Sequence, residues 1–247
     1  MSQPRKALTA RSVVLSTLLG TRPPVLPVSV LVRAGELFGI TEGTLRVALS
    51  RMAAAGEVEP DDGAYRLAGR LLDRQARQEA SVAARTKAWR NRAWRFAFVA
   101  GGARSANDRS GLRQAMRSLR LAELREGVWV RPDNLAWTPP AVVAEQCRSA
   151  LGRFDDDEPD PAELWDLAGW TRQADTLRKR LASHPPVDPA DLAPGFVLSA
   201  DILRHLQADP LLPPGLLPRG WPGDDLRTEY AAWDRAYRAL LRTWLRS

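Results

Sequence analysis

The chain has 247 residues, a formal net charge of +7 and a hydrophobic fraction of 45%, which is enough to form real cores. Its single cysteine, Cys147, excludes an intrachain disulfide framework, and its two histidines exclude a histidine-rich metal site. No stretch approaches the roughly 18 apolar residues of a membrane span, and the N-terminus lacks the apolar run of a signal peptide. We therefore expect a soluble cytoplasmic protein.

Positive charge is concentrated in the first 150 residues. Residues 1–90 carry 14 Lys and Arg against 8 Asp and Glu, and residues 91–150 carry 10 against 5. Residues 151–247 carry 12 against 16 and are therefore net acidic. Such a distribution is expected if the first part of the chain contacts a polyanion. Arg-rich surfaces are also common in proteins from GC-rich genomes, so charge alone leaves both explanations open.

Three helices followed by a hairpin are predicted at the N-terminus. Thr41 is a good N-cap residue for the third helix, and Gly56 ends it. Beyond Gly56 the period changes to strand alternation on both sides of a Pro-Asp-Asp-Gly turn. The predicted helices cover 11–19, 29–38 and 41–55, and the strands cover 57–59 and 64–67. This order predicts a winged helix-turn-helix over residues 1–68.

The third helix has a core face and a face that suits DNA. Leu45, Ala48, Leu49 and Met52 fall at i, i+3, i+4 and i+7, which places them on one side. The opposite side carries small residues flanked by arginines, which permits close approach to the major groove. The short hairpin that follows the third helix has the position of a wing, which would contact the DNA backbone or the minor groove. The candidate DNA-contacting residues are Thr41, Gly43, Thr44, Arg46, Val47, Ser50, Arg51, Tyr65 and Arg66.

The rest of the chain divides into a linker, a middle part and a C-terminal part. A long connecting helix is predicted over 68–90, a strand over 94–99, a helix over 112–121 and a strand over 127–131. The strand–helix–strand order favours a small α/β middle domain. An acidic segment after Phe154 predicts a linker, and helical segments follow it. The predicted domains are 1–68, a linker helix 69–90, a middle domain 91–152 and a helical C-terminal domain 160–247, in an α+β protein.

These residues resemble one known family. TLRVALSRMAAAGEVEPDDGAYRL, with RSVVLSTLLG before it, resembles the winged-helix domain of the PaaX family of phenylacetic-acid-catabolism repressors. WRFAFVAGG and LRQAMRSLRLAELREGVWVRPDNL resemble its middle domain, and HLQADPLLPPGLLPRGWPG its C-terminal part. Arg46, Ser50 and Arg51 match the family's helix, and the resemblance implies that they contact DNA. Val47 and Glu57 depart from it, where the family commonly has Thr and an aromatic residue.

The resemblance implies a dimeric bacterial repressor that binds double-stranded operator DNA. It also implies release by an acyl-CoA thioester, which is phenylacetyl-CoA in the founding members. A CoA ligand needs basic residues for its phosphates and apolar walls for its acyl group. Arg113, Arg117 and Arg120 are candidates, as are arginines of the C-terminal part, and the sequence does not choose among them.

Two other classes of function remain open. The family's middle domain is similar to small ferredoxin-like nucleases of CRISPR systems, which hold a metal through an Asp at the end of the first strand. Here no carboxylate follows the strand until Asp108, so we predict no metal, no catalytic residue and no cofactor. The second alternative is an adaptor whose winged helix binds only proteins.

The segment after Phe154 contains a cluster of acidic residues that lacks the spacing of a calcium-binding loop. The cluster consists of Asp155, Asp156, Asp157, Glu158 and Asp160.

Overall fold

The computed structural model describes residues 8–101, 105–155 and 157–246. It confirms an α+β protein with two small antiparallel sheets. The chain divides into two compact units. Unit 1 comprises Met1–Glu79, Lys179–Leu203 and Thr228–Ser247, and unit 2 comprises Ala80–Arg178 and Arg204–Arg227, each as far as it is described. The finer division into four predicted domains stays a prediction.

The N-terminal part of unit 1 contains three helices, a three-stranded sheet and most of a fourth helix. The sheet order is β1-β3-β2, and both pairs of strands are antiparallel. The hairpin predicted from the sequence is therefore confirmed, and β1 adds a third strand to it. The elements are α1 (Ala10–Leu19), β1 (Val25–Pro27), α2 (Val28–Glu36), α3 (Glu42–Ala54), β2 (Val58–Asp61), β3 (Ala64–Leu67) and α4 (Arg70–Ala83).

Polar caps fix both ends of α1. At its start, the Thr9 hydroxyl accepts a hydrogen bond from the Ser12 backbone N–H at 3.2 Å. At its end, the side chain of Gln75 donates to the carbonyl oxygens of Leu19 at 3.0 Å and Thr21 at 3.2 Å. Gln75 lies on α4 and is buried. Carbonyls at a helix end lack partners within the helix, so Gln75 ties α4 to the end of α1.

Helices α2 and α3 approach each other closely at Gly35. A Cβ at this position would lie 2.7 Å from Cδ1 of Leu45, which is closer than real contacts allow. Leu45 belongs to the core of this part of the chain, so it has little freedom to move away. The buried members of that core are Val14, Leu15, Leu18, Leu19, Leu31, Leu45, Leu49, Met52, Val58, Leu67 and Leu71.

The C-terminal part of the chain contains three long helices, and each contributes residues to both units. Within unit 1, the Phe196 ring lies 5.1 Å from the Phe38 ring, and the Arg33 guanidinium lies 4.8 Å from the Trp244 ring. The helices and two 3₁₀ turns are α8 (Leu167–Ser183), Pro189–Asp191, α9 (Leu192–Gln207), Pro214–Leu216 and α10 (Gly223–Arg246). The prediction that the C-terminal part is helical is confirmed.

Unit 2 is built around a four-stranded sheet of order β5-β6-β4-β7, in which every neighbouring pair is antiparallel. Its core packs helix residues such as Leu112 and Met116 against sheet residues such as Ala97 and Trp129. The elements are β4 (Trp94–Val99), α5 (Ala106–Ser118), β5 (Ala122–Arg125), β6 (Val128–Pro132), α6 (Ala141–Gln146), β7 (Cys147–Gly152) and α7 (Pro161–Leu164).

A buried ion pair holds separate segments of unit 2 together. The Arg227 guanidinium donates to Oδ2 of Asp209 at 2.7 Å, and both residues are buried. The other carboxylate oxygen of Asp209 accepts the Leu211 backbone N–H at 2.8 Å. Arg227 also donates to the carbonyl oxygen of Ser81 at 3.3 Å. The pair therefore connects the segment around Ser81 with the one around Asp209.

Several predicted boundaries were wrong. The connecting helix predicted over 68–90 ends at Ala83, because Ala84 adopts a φ of 45° that no α-helix continues. The helix predicted over 112–121 instead spans Ala106–Ser118, since the Ser105 hydroxyl caps it by accepting the Asp108 N–H. Strands β1, β5 and β7 were not predicted. No helix of the described residues is long and apolar enough to cross a membrane.

Candidate nucleic-acid interface

Helix α3 has the two faces that its sequence predicts. Leu45, Leu49 and Met52 are 0%, 1% and 2% exposed and lie in the core. On the other side Val47 is 52% exposed. Gly43, Ser50 and Ala54 are exposed on the same side. The helix thus presents small and apolar side chains to solvent along its length.

Thr41 sets where this face begins. Its hydroxyl accepts a hydrogen bond from the Thr44 backbone N–H at 3.3 Å, so it is the predicted N-cap of α3. The Thr44 hydroxyl lies 2.9 Å from the Thr41 hydroxyl. Both residues are exposed at the positive end of the helix dipole, which favours a phosphate there.

A groove of about 640 Å³ separates the exposed face of α3 from the start of α1. Among the predicted contact residues it brings together Gly43, Thr44, Val47 and Arg51. It leaves out Thr41, Arg46, Ser50 and both hairpin residues. The start of α1 supplies Thr9, Ala10 and Arg11, which the sequence did not mark as functional. The remaining lining residues are Ala48, Met52, Ala55 and Glu57.

Glu57 lies at the end of this groove as a buried carboxylate. Oε2 accepts from Arg11 Nε at 2.9 Å and Oε1 from Arg11 Nη2 at 2.5 Å, while Arg70 Nη2 lies 3.2 Å from Oε1. The hydrogen bonds from Arg11 hold the pKa of Glu57 below its ordinary value, and the same pair raises the pKa of Arg11. Glu57 therefore joins the end of α3 to α1 and α4.

Arg46 lies outside the groove and pairs within its own helix. Its Nε donates to Oε1 of Glu42 at 2.7 Å, one helical turn back, and both side chains are more than half exposed. An exposed pair of this kind contributes little stability, so the guanidinium can exchange Glu42 for another anion. Ser50 is exposed on the next turn.

The two predicted contact residues of the hairpin, Tyr65 and Arg66, differ in their exposure to solvent. Arg66 is exposed and donates to Oδ2 of Asp61 at 2.5 Å, a hydrogen bond that raises the pKa of Arg66. Tyr65 is half-buried and packs against the core of unit 1. The exposed hairpin face therefore carries Arg66, whereas Tyr65 supports the hairpin from within.

The three arginines considered for an effector also differ from one another. Arg113 and Arg117 are exposed on α5. Arg120 is held by groups of the protein itself: its guanidinium donates to the carbonyl oxygens of Gln207 and Asp209 and to the Ser81 hydroxyl. Burial lowers the pKa of Arg120 to about 10. Arg120 thus has a structural role.

The acidic residues of the chain do not assemble into a metal site in the described residues, where no group of three or more His, Cys, Asp or Glu could hold an ion. Glu158, predicted to lie in a solvated linker, accepts a hydrogen bond from the Trp94 indole at 2.8 Å. Asp160 caps α7 by accepting the Ala162 N–H at 2.8 Å. Asp156 lies outside the described residues. Cys147 is buried in the core of unit 2.

Comparison with known proteins identifies the segment that carries the groove. A family model described as "PaaX-like protein" matches residues 9–71. A solved structure of "Uncharacterized protein Rv0674 from Mycobacterium tuberculosis" is 41% identical, and the alignment covers 96% of this chain and 98% of that one with a TM-score of 0.73. None of the curated proteins matches the chain. The match to residues 9–71 confirms the resemblance seen in the sequence, and the chain belongs to the PaaX-like protein family.

Proposed function

We propose that this protein is a transcriptional regulator that binds operator DNA through a winged helix-turn-helix formed by α1–β3. The family indicates a regulator of phenylacetic acid catabolism, with no enzymatic activity. The observation that carries the proposal is the exposed face of α3, with Val47 and Gly43 beside Arg51, inside the matched segment. Small residues on a recognition helix allow base edges to approach, and Arg51 reaches a base or a phosphate.

The groove between α1 and α3 suits one strand of the DNA backbone. Thr9 and Thr41 place the N-termini of two helices at this side of the molecule, and each N-terminus attracts a phosphate. Arg11 is about half exposed while it pairs with Glu57, so its charge reaches the groove. Val47 can meet a thymine methyl group in the major groove while a backbone strand follows the wall formed by α1.

The order of the elements in the middle part of the chain supports a ferredoxin-like domain there, as the family resemblance implies. Its elements follow the order β4-α5-β5-β6-α6-β7, which is the β-α-β-β-α-β order of that motif. We propose that it serves as a dimerisation platform through β7, an edge strand whose Leu151 is 55% exposed. An exposed edge with an apolar residue pairs readily with another chain. A two-fold dimer would match a palindromic operator.

The proposed repressor is released by an acyl-CoA effector such as phenylacetyl-CoA, a part of the proposal that follows from the family. Release requires that the effector bind the DNA-free arrangement better than the DNA-bound one. No observation favours the nuclease alternative, since the described residues gather no cluster of metal ligands.

The test is fluorescence anisotropy with labelled DNA from upstream of the protein's own gene. We expect salt-sensitive binding that falls about 10- to 100-fold in Arg51→Ala, the loss typical of one good arginine contact. Arg74→Ala is the matched control, because Arg74 is exposed on α4 and the charge change is the same. Added phenylacetyl-CoA should release the DNA. Equal losses in both variants would contradict the role of α3, and binding without release would contradict the effector.

A further inference from the structure

Three arginines follow one another on the outer face of α5 in unit 2. Arg109, Arg113 and Arg117 are spaced by four residues, so they lie on one side of the helix, about 6 Å apart along its axis. All three are exposed. Leu112 and Met116, on the neighbouring side of α5, lie in the core of unit 2, so the row runs along the border of the exposed side of the helix. We call these three residues the α5 arginine row.

A groove of about 480 Å³ follows the α5 arginine row. Between the arginines it is lined by short or uncharged side chains: Ala106, Ser110 and Gln114. None of these carries a negative charge. The groove is therefore open, positively charged and without aromatic residues.

Helix stability does not explain the row. Like charges four residues apart destabilise a helix, and the row contains two such pairs in succession. Arg113 has a carboxylate partner, since its Nη2 lies 3.2 Å from Glu123, but this pair is exposed and contributes little. A row of like charges along a solvent-exposed groove is better explained by a ligand that carries several negative charges at regular intervals.

We propose that the α5 arginine row binds the phosphate backbone of duplex DNA, as a second surface distinct from α3. This inference rests on the proposed function, because it names a further contact with the same partner. Guanidinium groups bind phosphate oxygens in a fork geometry, and a row about 12 Å long spans more than one phosphate. The groove offers no side chain that stacks on bases, so the contact is independent of sequence.

The experiment measures how DNA affinity depends on salt in the full chain. The variant is Arg109→Gln, Arg113→Gln and Arg117→Gln together, and the matched control is Arg153→Gln, Arg172→Gln and Arg219→Gln. The control residues are exposed arginines of unit 2, so both variants lose the same charge. Labelled duplexes of the upstream DNA and of random sequence are titrated with protein at several NaCl concentrations.

Each lost phosphate contact makes the slope of log affinity against log salt shallower by about 0.9. We expect the α5 variant to lose about two to three units of slope on both duplexes and the control to keep the wild-type slope. Replacing the row with lysines should restore the slope, because the charges return. The same slope in the α5 variant and the control would overturn the inference.

Two further outcomes separate this inference from the proposed function. Wild-type protein without salt-sensitive DNA binding would contradict both. Binding that is lost in Arg51→Ala but keeps its slope in the α5 variant would contradict the α5 contact alone. If tripolyphosphate binds the row but does not change the affinity of the protein for duplex DNA, the inference is also overturned, since the row would then bind a small polyphosphate. The melting temperature of the α5 variant should not fall, because removing like charges relieves repulsion within α5.

Discussion

Arg11 and Glu57 form a two-point ion pair although they lie 46 residues apart in the sequence. Arg11 belongs to the first turn of α1, and Glu57 lies three residues after Ala54, the last residue of α3. Glu57 is only 5% exposed, whereas Arg11 is half exposed in the groove. The pair thus sets the position of α1 against the helix that we propose contacts DNA.

Replacing Glu57 with Gln should destabilise the protein by about 1–3 kcal/mol, because hydrogen bonds to a charged group are lost at a buried position. The native pKa of Glu57 is lowered, so the stabilisation is present above the unfolded-state pKa of about 4.3 and is lost as the pH falls below it. Urea unfolding at pH 7 should therefore separate the variant from wild type, and the gap should shrink in acid. Glu59→Gln, at an exposed neighbouring position, should leave the unfolding midpoint unchanged.

Replacing Gly43 with Ala should move stability and DNA affinity in opposite directions. No atom lies within 4 Å of a Cβ built at Gly43, so the substitution meets no clash and should stabilise α3 by about 0.4–1 kcal/mol. The added methyl group lies in the groove, where it hinders close approach of DNA. We expect a higher melting temperature with lower DNA affinity. A variant that gains stability and keeps full affinity would show that DNA does not approach α3 at Gly43.

Replacing Asp209 with Asn should destabilise unit 2 by about 3 kcal/mol, because the buried guanidinium of Arg227 loses its charged partner. Asp224→Asn is the matched control, since Asp224 also lies near Arg227 but is fully exposed. Chemical denaturation compares the two variants. Equal stability of both would show that the Asp209–Arg227 pair contributes nothing beyond its hydrogen bonds.

Replacing Leu151 with Lys should convert the proposed dimer to a monomer. A charge on an edge strand opposes pairing with a second chain, and Leu151 is exposed on β7, so the fold itself should not change. Light scattering after size exclusion measures the mass. A variant that remains a dimer would place the interface elsewhere, and a monomeric wild type would contradict the dimer.

The sequence predicted the elements whose signals are local. The apolar period of α3 and the cap at Thr41 lie within one stretch of chain, and both are confirmed. Strand β7 gave no signal, because most of its residues are exposed at the sheet edge and show no alternation. The end of α4 depends on the positive φ of Ala84. Alanine rarely adopts this conformation, so the sequence does not indicate that the helix ends there.

The candidate site was predicted in part for the same reason. Gly43, Val47 and Arg51 follow from helical geometry, and the structure places them in one groove. Arg11 and Glu57 were missed as partners, since nothing near either residue specifies a contact 46 positions away. Arg120 resembles its neighbours Arg113 and Arg117 in sequence, and its burial and its contacts with Ser81 and the 207–209 segment distinguish it.

The central claim is that the exposed face of α3 recognises DNA sequence, and selection of bound duplexes from a random pool tests it most directly. Wild-type protein should enrich a defined motif. Val47→Ser should enrich a motif that differs at the base pairs facing this residue, because the contact with a thymine methyl group is replaced by a hydroxyl. The same motif from both proteins would remove Val47 from the interface, and no enriched motif from wild-type protein at low salt would contradict the account.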